Sequence, residues 1–206
     1  MARRFGVGCI WLALACMVCP APVAANETAE PSATELIESL LSGDLPVGGR
    51  FDLTDQTGHR RTEADFLGRL VILYFGYTYC PDMCPTELQS ISLALDALGT
   101  AAEAAQPLFI TVDPERDTPA RLADFVSSFH PRLIGLTGSL AEIRKTAIAY
   151  KTFFAKQSLA TPGNYSVDHT GFIYLVGKDG RYLGFLPPGL APDAIAEAIR
   201  SRLEPE

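Results

Sequence analysis

A run of six apolar residues, Leu70 to Phe75 (LVILYF), is the feature that most restricts the fold of this chain. A run without alternation is typical of a strand buried on both faces, as in sheets covered by helices. Apolar residues at helical spacing follow from Leu88 to Leu98, and Leu108–Val112 reads as a second buried strand. Strand, helix and strand in this order predict an α/β fold with a mostly parallel central sheet.

The flanking segments extend this architecture in both directions. Each predicted element has a local signal, such as Gly58 in a turn, Pro at the first helical position or a capping box. The predicted elements are a hairpin beginning at Phe51–Thr54, a helix opening at Thr118-Pro119, a strand at Leu133–Leu136, a helix from Ser139 to Tyr150, strands at Phe172–Val176 and Tyr182–Phe185, and a helix from Pro192. Helices therefore flank the sheet.

The first 25 residues have the pattern of a targeting segment. Arg3 and Arg4 precede an uncharged apolar run, Phe5–Cys19, and small residues end the segment at Val23-Ala24-Ala25. This pattern predicts a signal peptide over 1–25 that exports the chain to the periplasm or the extracytoplasmic face of the inner membrane. An uncleaved N-terminal anchor is the alternative, and it would be the only attachment to a membrane.

A polar arm, 26–46, is predicted to connect this segment to the folded domain, 47–206. Ser32 and Glu35 form a capping-box pattern before a short apolar segment, so the arm is expected to hold one short helix. The 17 Lys and Arg residues against 24 Asp and Glu residues give a net charge of -7, which argues against nucleic acid as a partner.

Cys80 and Cys84 mark the candidate site. The chain has five cysteines, and the other three lie in the predicted signal peptide. The pair follows the first buried strand, at the edge of the sheet where α/β proteins build their sites. A helix N-terminus at this point would favour the thiolate form. Asp82 reads as a charge of the first helical turn, and Pro85 is expected to kink the helix. Met83 could add a soft sulfur, but a cover for the site or a partner contact is favoured.

Three interpretations of the cysteine pair remain open on residue chemistry alone. A structural disulfide would close a very small loop and stabilise little. A redox-active dithiol usually has two residues between its cysteines rather than three. A site for a soft metal needs at least one further ligand.

Three segments together resemble the Sco/SenC family: FGYTYCPDMCP from Phe75, VDPERDTP from Val112 and VDHTGFIYL from Val167. The resemblance extends from about Leu45 to the C-terminus. It implies a thioredoxin-like fold with an extra N-terminal β-hairpin. It also implies a site for copper, Cu(I) and Cu(II), made by Cys80, Cys84 and His169, in a protein that handles copper for cytochrome c oxidase. Tyr79 departs from the family pattern, in which many relatives have histidine.

The remaining histidines and the acidic loop are assigned separately. His169 is expected to begin the strand Phe172–Val176 and to face the sulfurs, where thioredoxin-like proteins carry a cis-proline. His59, in a polar turn, and His130, at a helix end, are interpreted as structural. The loop with Asp113, Arg116 and Asp117 should lie beside the cysteines. Arg116 would pair with a carboxylate, Asp117 or Thr118 would cap a helix, and Asp117 is equally suited to docking a partner.

Two functions lead this interpretation. The first is a copper metallochaperone that takes copper from an upstream periplasmic donor and delivers it to the dinuclear copper site of cytochrome c oxidase subunit II. The second is a thiol-disulfide reductase that keeps the cysteines of that site reduced, which makes the redox-active pair catalytic and requires a thiol reductant. A redox or copper sensor is a third reading. His169 distinguishes the first two, because a dithiol reductase does not need it.

Overall fold

The computed structural model describes residues 46–159 and 164–203. The predicted signal peptide or anchor and the predicted helix of the polar arm lie outside the described residues. Within the described ranges, no helix is long and apolar enough to cross a bilayer.

The described part of the chain alternates between strands and helices from Asp52 onwards. Its helices are α1 Met83–Leu98, α2 Pro119–Val126, α3 Leu140–Ala149 and α4 Pro192–Leu203, with short 3-10 helices at Glu63–Phe66 and Gly99–Ala104. Its strands are β1 Asp52–Asp55, β2 Arg60–Thr62, β3 Leu70–Gly76, β4 Ala105–Thr111, β5 Ile134–Thr137, β6 Phe154–Ser158, β7 Tyr165–His169, β8 Ile173–Val176 and β9 Tyr182–Leu186.

Seven of these strands form the central sheet, in the order β2-β1-β5-β4-β3-β8-β9. The centre is parallel, since β3 pairs with β4 and β4 with β5, while β1–β2 and β8–β9 extend the sheet as antiparallel hairpins. Every residue of β3 and β4 is buried, as expected for strands covered on both faces. The α/β thioredoxin-like architecture with an extra N-terminal hairpin is confirmed.

The helices begin where their capping residues predict. The Thr118 hydroxyl accepts a hydrogen bond from the Arg121 amide at the start of α2, and Ser139 and Glu142 form the capping box of α3. Helix α2 then packs so closely on β5 that a Cβ atom at Gly135 would lie 2.9 Å from a methyl group of Val126. Glycine is therefore required at this crossing for steric reasons.

Strands β6 and β7 form a separate two-stranded hairpin that the sequence analysis does not predict. Strand β6 is mostly exposed and polar, so it lacks the apolar run or the clear alternation that identifies a strand. This hairpin changes the position of His169, which is the last residue of β7. The expectation that His169 begins the strand leading to Val176 is therefore wrong. No cis peptide bond accompanies it, since the peptide bonds of the described residues are all trans.

Candidate metal centre

The two cysteines lie at the junction between β3 and α1. Cys80 belongs to the connecting turn, where its amide donates to the Tyr77 carbonyl at 3.2 Å, and it is partly exposed. Cys84 lies in the first turn of α1 and is fully buried. The Cys84 amide points back at the sulfur of Cys80, with a nitrogen to sulfur distance of 3.3 Å. Both sulfurs are therefore held at a helix N-terminus, which favours negative charge.

The expected kink at Pro85 is wrong. Because α1 begins at Met83, Pro85 lies in the first helical turn, where a backbone amide has no partner within the helix. Proline is tolerated in this turn, and no helix precedes it that could bend. Asp82 stands at the N-cap position without a side-chain capping bond, one residue before the first helical turn in which it was expected.

Gly76, the last residue of β3, makes room for the buried sulfur. A Cβ atom at this position would lie 2.8 Å from the sulfur of Cys84 and 2.8 Å from the ring of Phe109. Both distances are too short for non-bonded contact, so a side chain here would displace the metal-facing thiol.

We predict that Gly76→Ala lowers the free energy of unfolding by about 2 kcal/mol, because overpacking of a close-packed core costs about this much. Urea denaturation measures the change. The double variant Gly76→Ala with Cys84→Ala removes one of the two clashes, so the alanine at position 76 should then cost about half as much. An equal cost in both backgrounds would contradict contact with the sulfur.

The β6–β7 hairpin brings His169 to the cysteines. The base of the hairpin is closed by Phe153 and Thr170, since the Thr170 amide donates to the Phe153 carbonyl at 3.0 Å. The imidazole stands edge-on to the rings of Tyr74 and Tyr77, with centroid distances of 6.2 and 6.0 Å. Its Nε2 atom lies 3.4 Å from the sulfur of Cys84.

Cys80, Cys84 and His169 thus form a compact set of ligand atoms. The two sulfurs and the nearest imidazole nitrogen all lie within 4.8 Å of one another. Among the described residues, no other group of three His, Cys, Asp or Glu side chains meets this condition. Two soft sulfurs and one imidazole suit copper and zinc better than magnesium or calcium.

The contact of the second nitrogen of His169 determines which ring nitrogen carries the hydrogen. The Nδ1 atom lies 3.1 Å from the Thr170 carbonyl oxygen, which can only accept a hydrogen bond. The hydrogen of a neutral imidazole must therefore be on Nδ1, and the lone pair of Nε2 faces the sulfurs. Metal-binding histidines are commonly oriented in this way by a backbone carbonyl.

The pKa values of the two thiols are shifted in opposite directions. A hydrogen bond from Cys84 lowers the pKa of Cys80 to about 4, against the opposing effect of burial and with further help from backbone amides. The same hydrogen bond, together with burial, raises the pKa of Cys84 above its usual range. At neutral pH the pair therefore consists of an accessible thiolate, Cys80, and a buried thiol that donates to it.

This difference predicts a pH profile for alkylation. Iodoacetamide reacts with the thiolate, so the rate of Cys80 modification should fall as the pH drops through about 4, while Cys84 stays unmodified. Peptide mapping by mass spectrometry measures both rates. In Cys84→Ala the midpoint should move upward, because the hydrogen-bond donor is lost. A midpoint near the ordinary cysteine pKa of 9.0 in the unchanged chain would contradict this assignment.

Asp117 ties the cysteine turn to the centre of the sheet. Its buried carboxylate accepts hydrogen bonds from the Thr78 amide at 2.9 Å, the Thr78 hydroxyl at 2.7 Å and the Thr111 hydroxyl at 2.6 Å. The loop does lie beside the cysteines, as predicted. The prediction that Asp117 or Thr118 caps α2 is confirmed for Thr118. Docking of a partner by Asp117 is wrong, since its carboxylate is fully buried.

The same loop also supports the hairpin that carries His169. Asp113 is buried, forms an ion pair with Arg116 and accepts a hydrogen bond from the Tyr165 hydroxyl at 2.7 Å. The Arg116 guanidinium stacks 3.7 Å from the centre of the Tyr165 ring and donates to the Tyr165 carbonyl. The predicted pairing of Arg116 with a carboxylate is confirmed. Tyr79 is half exposed and lies between Arg116 and Arg121, with guanidinium-to-ring distances of 4.7 and 5.0 Å.

An open groove of about 430 Å³ leads to the site. Cys80 and His169 line it, with Met83 on the rim. Met83 is 44% exposed, and its sulfur would lie 2.9 Å from a Cβ atom at Gly171, in the turn after His169. Met83 therefore borders the site, in agreement with its interpretation as a cover. A larger groove of about 480 Å³ at Arg50, Glu63 and Glu142 contains no sulfur or imidazole.

The other two histidines do not contribute to the metal centre. His59 lies in the exposed turn between β1 and β2, where its Nδ1 atom is 2.7 Å from the Thr57 hydroxyl. His130 accepts a hydrogen bond from the Arg132 amide at 3.2 Å, and burial lowers its pKa. Helix α2 ends at Val126, so His130 lies in the following turn rather than at the helix end.

The sequence analysis missed three residues that shape the site: Gly76, Thr78 and Tyr165. Gly76 and Thr78 lie within the segment that carries the cysteines, but a small residue and a hydroxyl give no signal of a long-range contact. Tyr165 precedes His169 by four residues, and only the hairpin brings it to Asp113.

Comparisons with known proteins agree with this geometry. The family model described as SCO1/SenC matches residues 41–204. The chain is 43% identical over 158 residues to the mitochondrial SCO2 homolog of Danio rerio, which covers 76% of this chain and 57% of the relative. The chain thus spans little more than half the length of that relative. A SCO2-like protein of Rickettsia prowazekii is 35% identical over 202 residues, covering 98% of this chain and 93% of the relative.

Among solved structures, ScoI of Bradyrhizobium japonicum with copper bound is 42% identical, with a TM-score of 0.71, and covers 76% of this chain and 99% of its own. Copper-bound yeast Sco1 is 37% identical, with a TM-score of 0.72, and covers 77% and 89%. The family model covers most of this chain, and the site geometry fits it. The chain therefore belongs to the SCO1/SenC family.

Proposed function

We propose that this protein is a copper metallochaperone that binds copper through Cys80, Cys84 and His169 and delivers it to the dinuclear copper site of cytochrome c oxidase subunit II. The observation that carries the proposal is the convergence of two sulfurs and an imidazole within 4.8 Å. Two thiolates suit Cu(I), and an added imidazole makes the site acceptable to Cu(II) as well. The solved relatives that carry copper support this choice of metal.

The form of the site suits transfer rather than permanent storage. Cys84 is buried and anchors the metal, whereas Cys80 and His169 face the open groove. A thiolate or imidazole of a partner can approach through this groove and replace one ligand at a time. Low coordination and access from one side lower the barrier to such an exchange.

A thiol-disulfide reductase acting on the same oxidase is a second candidate, with Cys80 and Cys84 as its catalytic pair. The lowered pKa of Cys80, about 4, supports it, because an accessible thiolate is the attacking species in thiol-disulfide exchange. Its buried neighbour would then resolve the mixed disulfide, and an external thiol reductant would restore the pair. His169 has no necessary role in this chemistry.

The proposed function also implies a cellular setting. A copper carrier for a respiratory oxidase would act on the periplasmic side of the membrane, in agreement with the predicted signal or anchor at residues 1–25. It would receive its metal from an upstream copper donor. The client and the donor are both proteins that present thiolates or imidazoles.

The direct test is copper transfer to an acceptor that is already reduced. The chain loaded with Cu(I) is mixed with the metal-free copper domain of an oxidase subunit II whose cysteines have been reduced chemically. After separation, copper should be found on the acceptor. Because no reduction is needed, a chain that acts only as a reductase would transfer nothing. Copper that stays on the donor chain would contradict the carrier function.

A further inference from the structure

An exposed apolar surface lies at the C-terminal end of α3 and at the base of the β6–β7 hairpin, where Phe154 pairs with His169. Ile148 is 68% exposed and Phe153 is 65% exposed, the two largest values for bulky apolar side chains among the described residues. Both line a shallow groove of about 190 Å³. The surface, here called the α3 patch, consists of Arg144, Ala147, Ile148, Thr152, Phe153 and Phe154.

Cations also border the α3 patch, although the whole chain has a net charge of -7. Residues 143–167 include four cations and no Asp or Glu. Arg144 lines the patch, Lys145 and Lys151 are close to it in sequence, and Lys156 is already paired with Glu115 at 2.6 Å. Arg144 and Lys145 are exposed on α3. Lys151 follows the C-cap residue Tyr150 with a φ of 56°, in the left-handed conformation that is common just after a helix end. Any occupant of this surface should therefore combine apolar side chains with negative charge.

The polypeptide that precedes the domain begins next to this patch. The Gly48 amide donates to the carbonyl of Ala149 at 2.9 Å, and Val47 is buried. Ala149 follows Ile148 directly in the sequence, so the described chain begins, at Pro46, two residues before a contact at the edge of the patch. A stretch of five residues spans at most roughly 17 Å, which brings Leu41 within reach of Ile148.

The polar arm has the composition that the patch requires. Residues 26–46 contain five acidic residues and no Lys or Arg. Within the arm, Leu36, Ile37, Leu40 and Leu41 recur at helical spacing, with Glu35 and Glu38 between or beside them. The apolar side chains and the negative charge of the polar arm thus both complement the α3 patch.

We propose that the polar arm docks on its own domain, with residues 35–41 covering the α3 patch. Leu36 and Leu40 would pack against Ile148 and Phe153, while Glu35 and Glu38 would face the cations. The short connection makes this contact intramolecular, with a high effective concentration. Phe153 also closes the base of the hairpin that carries His169, through its hydrogen bonds with Thr170. Docking would therefore fix the path of the N-terminal segment beside the metal site.

Zero-length cross-linking of the full chain tests this contact. A carbodiimide joins a carboxylate and an amine only when they are in direct contact, and mass spectrometry identifies the linked peptides. Cross-links from Lys145 or Lys151 to Glu35 or Glu38 are expected, whereas Glu27, near the start of the arm, should remain unlinked. Absence of the first set, or equal linking of Glu27, would overturn the proposal.

Variants of the patch separate docking from chance contact. The double variant Ile148→Ser with Phe153→Ser should lose these cross-links, and both side chains are exposed enough for the fold to survive their replacement. Leu93→Ser, at a 45% exposed position on α1, should keep them. Retention of the cross-links in the double variant would contradict apolar docking.

Two other occupants give distinguishable results. In a mixture of isotopically heavy and light chains, cross-links that join heavy to light would assign the patch to a second copy. Loss of the intramolecular cross-links on addition of phosphatidylglycerol vesicles, but not of phosphatidylcholine vesicles, would assign it to an anionic membrane surface. Either result would overturn docking of the arm. None of these measurements depends on copper, so the proposed function can fail independently.

Discussion

Replacing His169 by alanine should lower the affinity for Cu(II) by more than roughly 100-fold, because even the loss of a residue that only supports a ligand costs 10- to 100-fold. Two thiolates alone favour Cu(I), so binding of Cu(I) should weaken less. Thiol-disulfide exchange should remain almost unchanged, since a hydrogen bond from Cys84 is the main cause of the lowered pKa of Cys80. The variant therefore separates the copper carrier from the reductase.

Competition with a chelator measures both affinities, and reaction with a small disulfide measures the exchange rate. His130→Ala is the matched control, because His130 is distant from the cysteines in sequence and its imidazole contacts the Arg132 amide and the Asp96 carboxylate instead. Cells that carry His169→Ala should lose oxidase activity despite an intact dithiol. Normal oxidase assembly in this variant, together with failure in Cys80→Ser, would establish the reductase in place of the carrier.

Replacing Asp117 by alanine should lower the free energy of unfolding by about 3 kcal/mol. The carboxylate accepts three hydrogen bonds in the protein interior, and its removal leaves their donors on Thr78 and Thr111 without a partner. Each unsatisfied buried donor costs about 1–3 kcal/mol, and relaxation recovers part of the sum. Because Thr78 stands two residues before Cys80, copper affinity should fall as well.

Urea denaturation gives the change in stability, and Asp124→Ala is the control. Asp124 lies on α2, seven residues further along the chain, and is exposed. Its replacement should change stability by less than about 0.5 kcal/mol, as is usual at surface positions. Equal effects of the two substitutions would contradict the role of Asp117 as an internal support of the cysteine turn.

The centre of the fold could be predicted from sequence because its signals are local. The unbroken apolar run of β3, the helical spacing in α1 and the capping residues at Thr118 and Ser139 each determine a short segment without long-range information. The cysteine pair could be placed for the same reason, since it follows β3 directly. The third candidate ligand, His169, follows from the resemblance to a family rather than from periodicity or spacing.

The remaining features depend on contacts between distant segments. The β6–β7 hairpin is polar and mostly exposed, so its stability comes from what it packs against, such as the stacking of Arg116 on Tyr165. From sequence, Asp117 is suited to capping a helix or to docking a partner, because its sequence neighbours permit both roles. Only the fold places Thr78 and Thr111 around its carboxylate. The error at Pro85 arose because a shift of the helix start by a few residues changes the effect of a proline.

The copper content of the full chain in its reduced and oxidised forms tests the central claim most directly. The chain is incubated with excess copper, freed of unbound metal and assayed for copper and free thiols. We expect one copper per reduced chain and, once Cys80 and Cys84 are joined in a disulfide, almost none, since a disulfide offers no thiolate ligand. Full copper occupancy without free thiols, or no copper on the reduced chain, would contradict a site built from Cys80, Cys84 and His169.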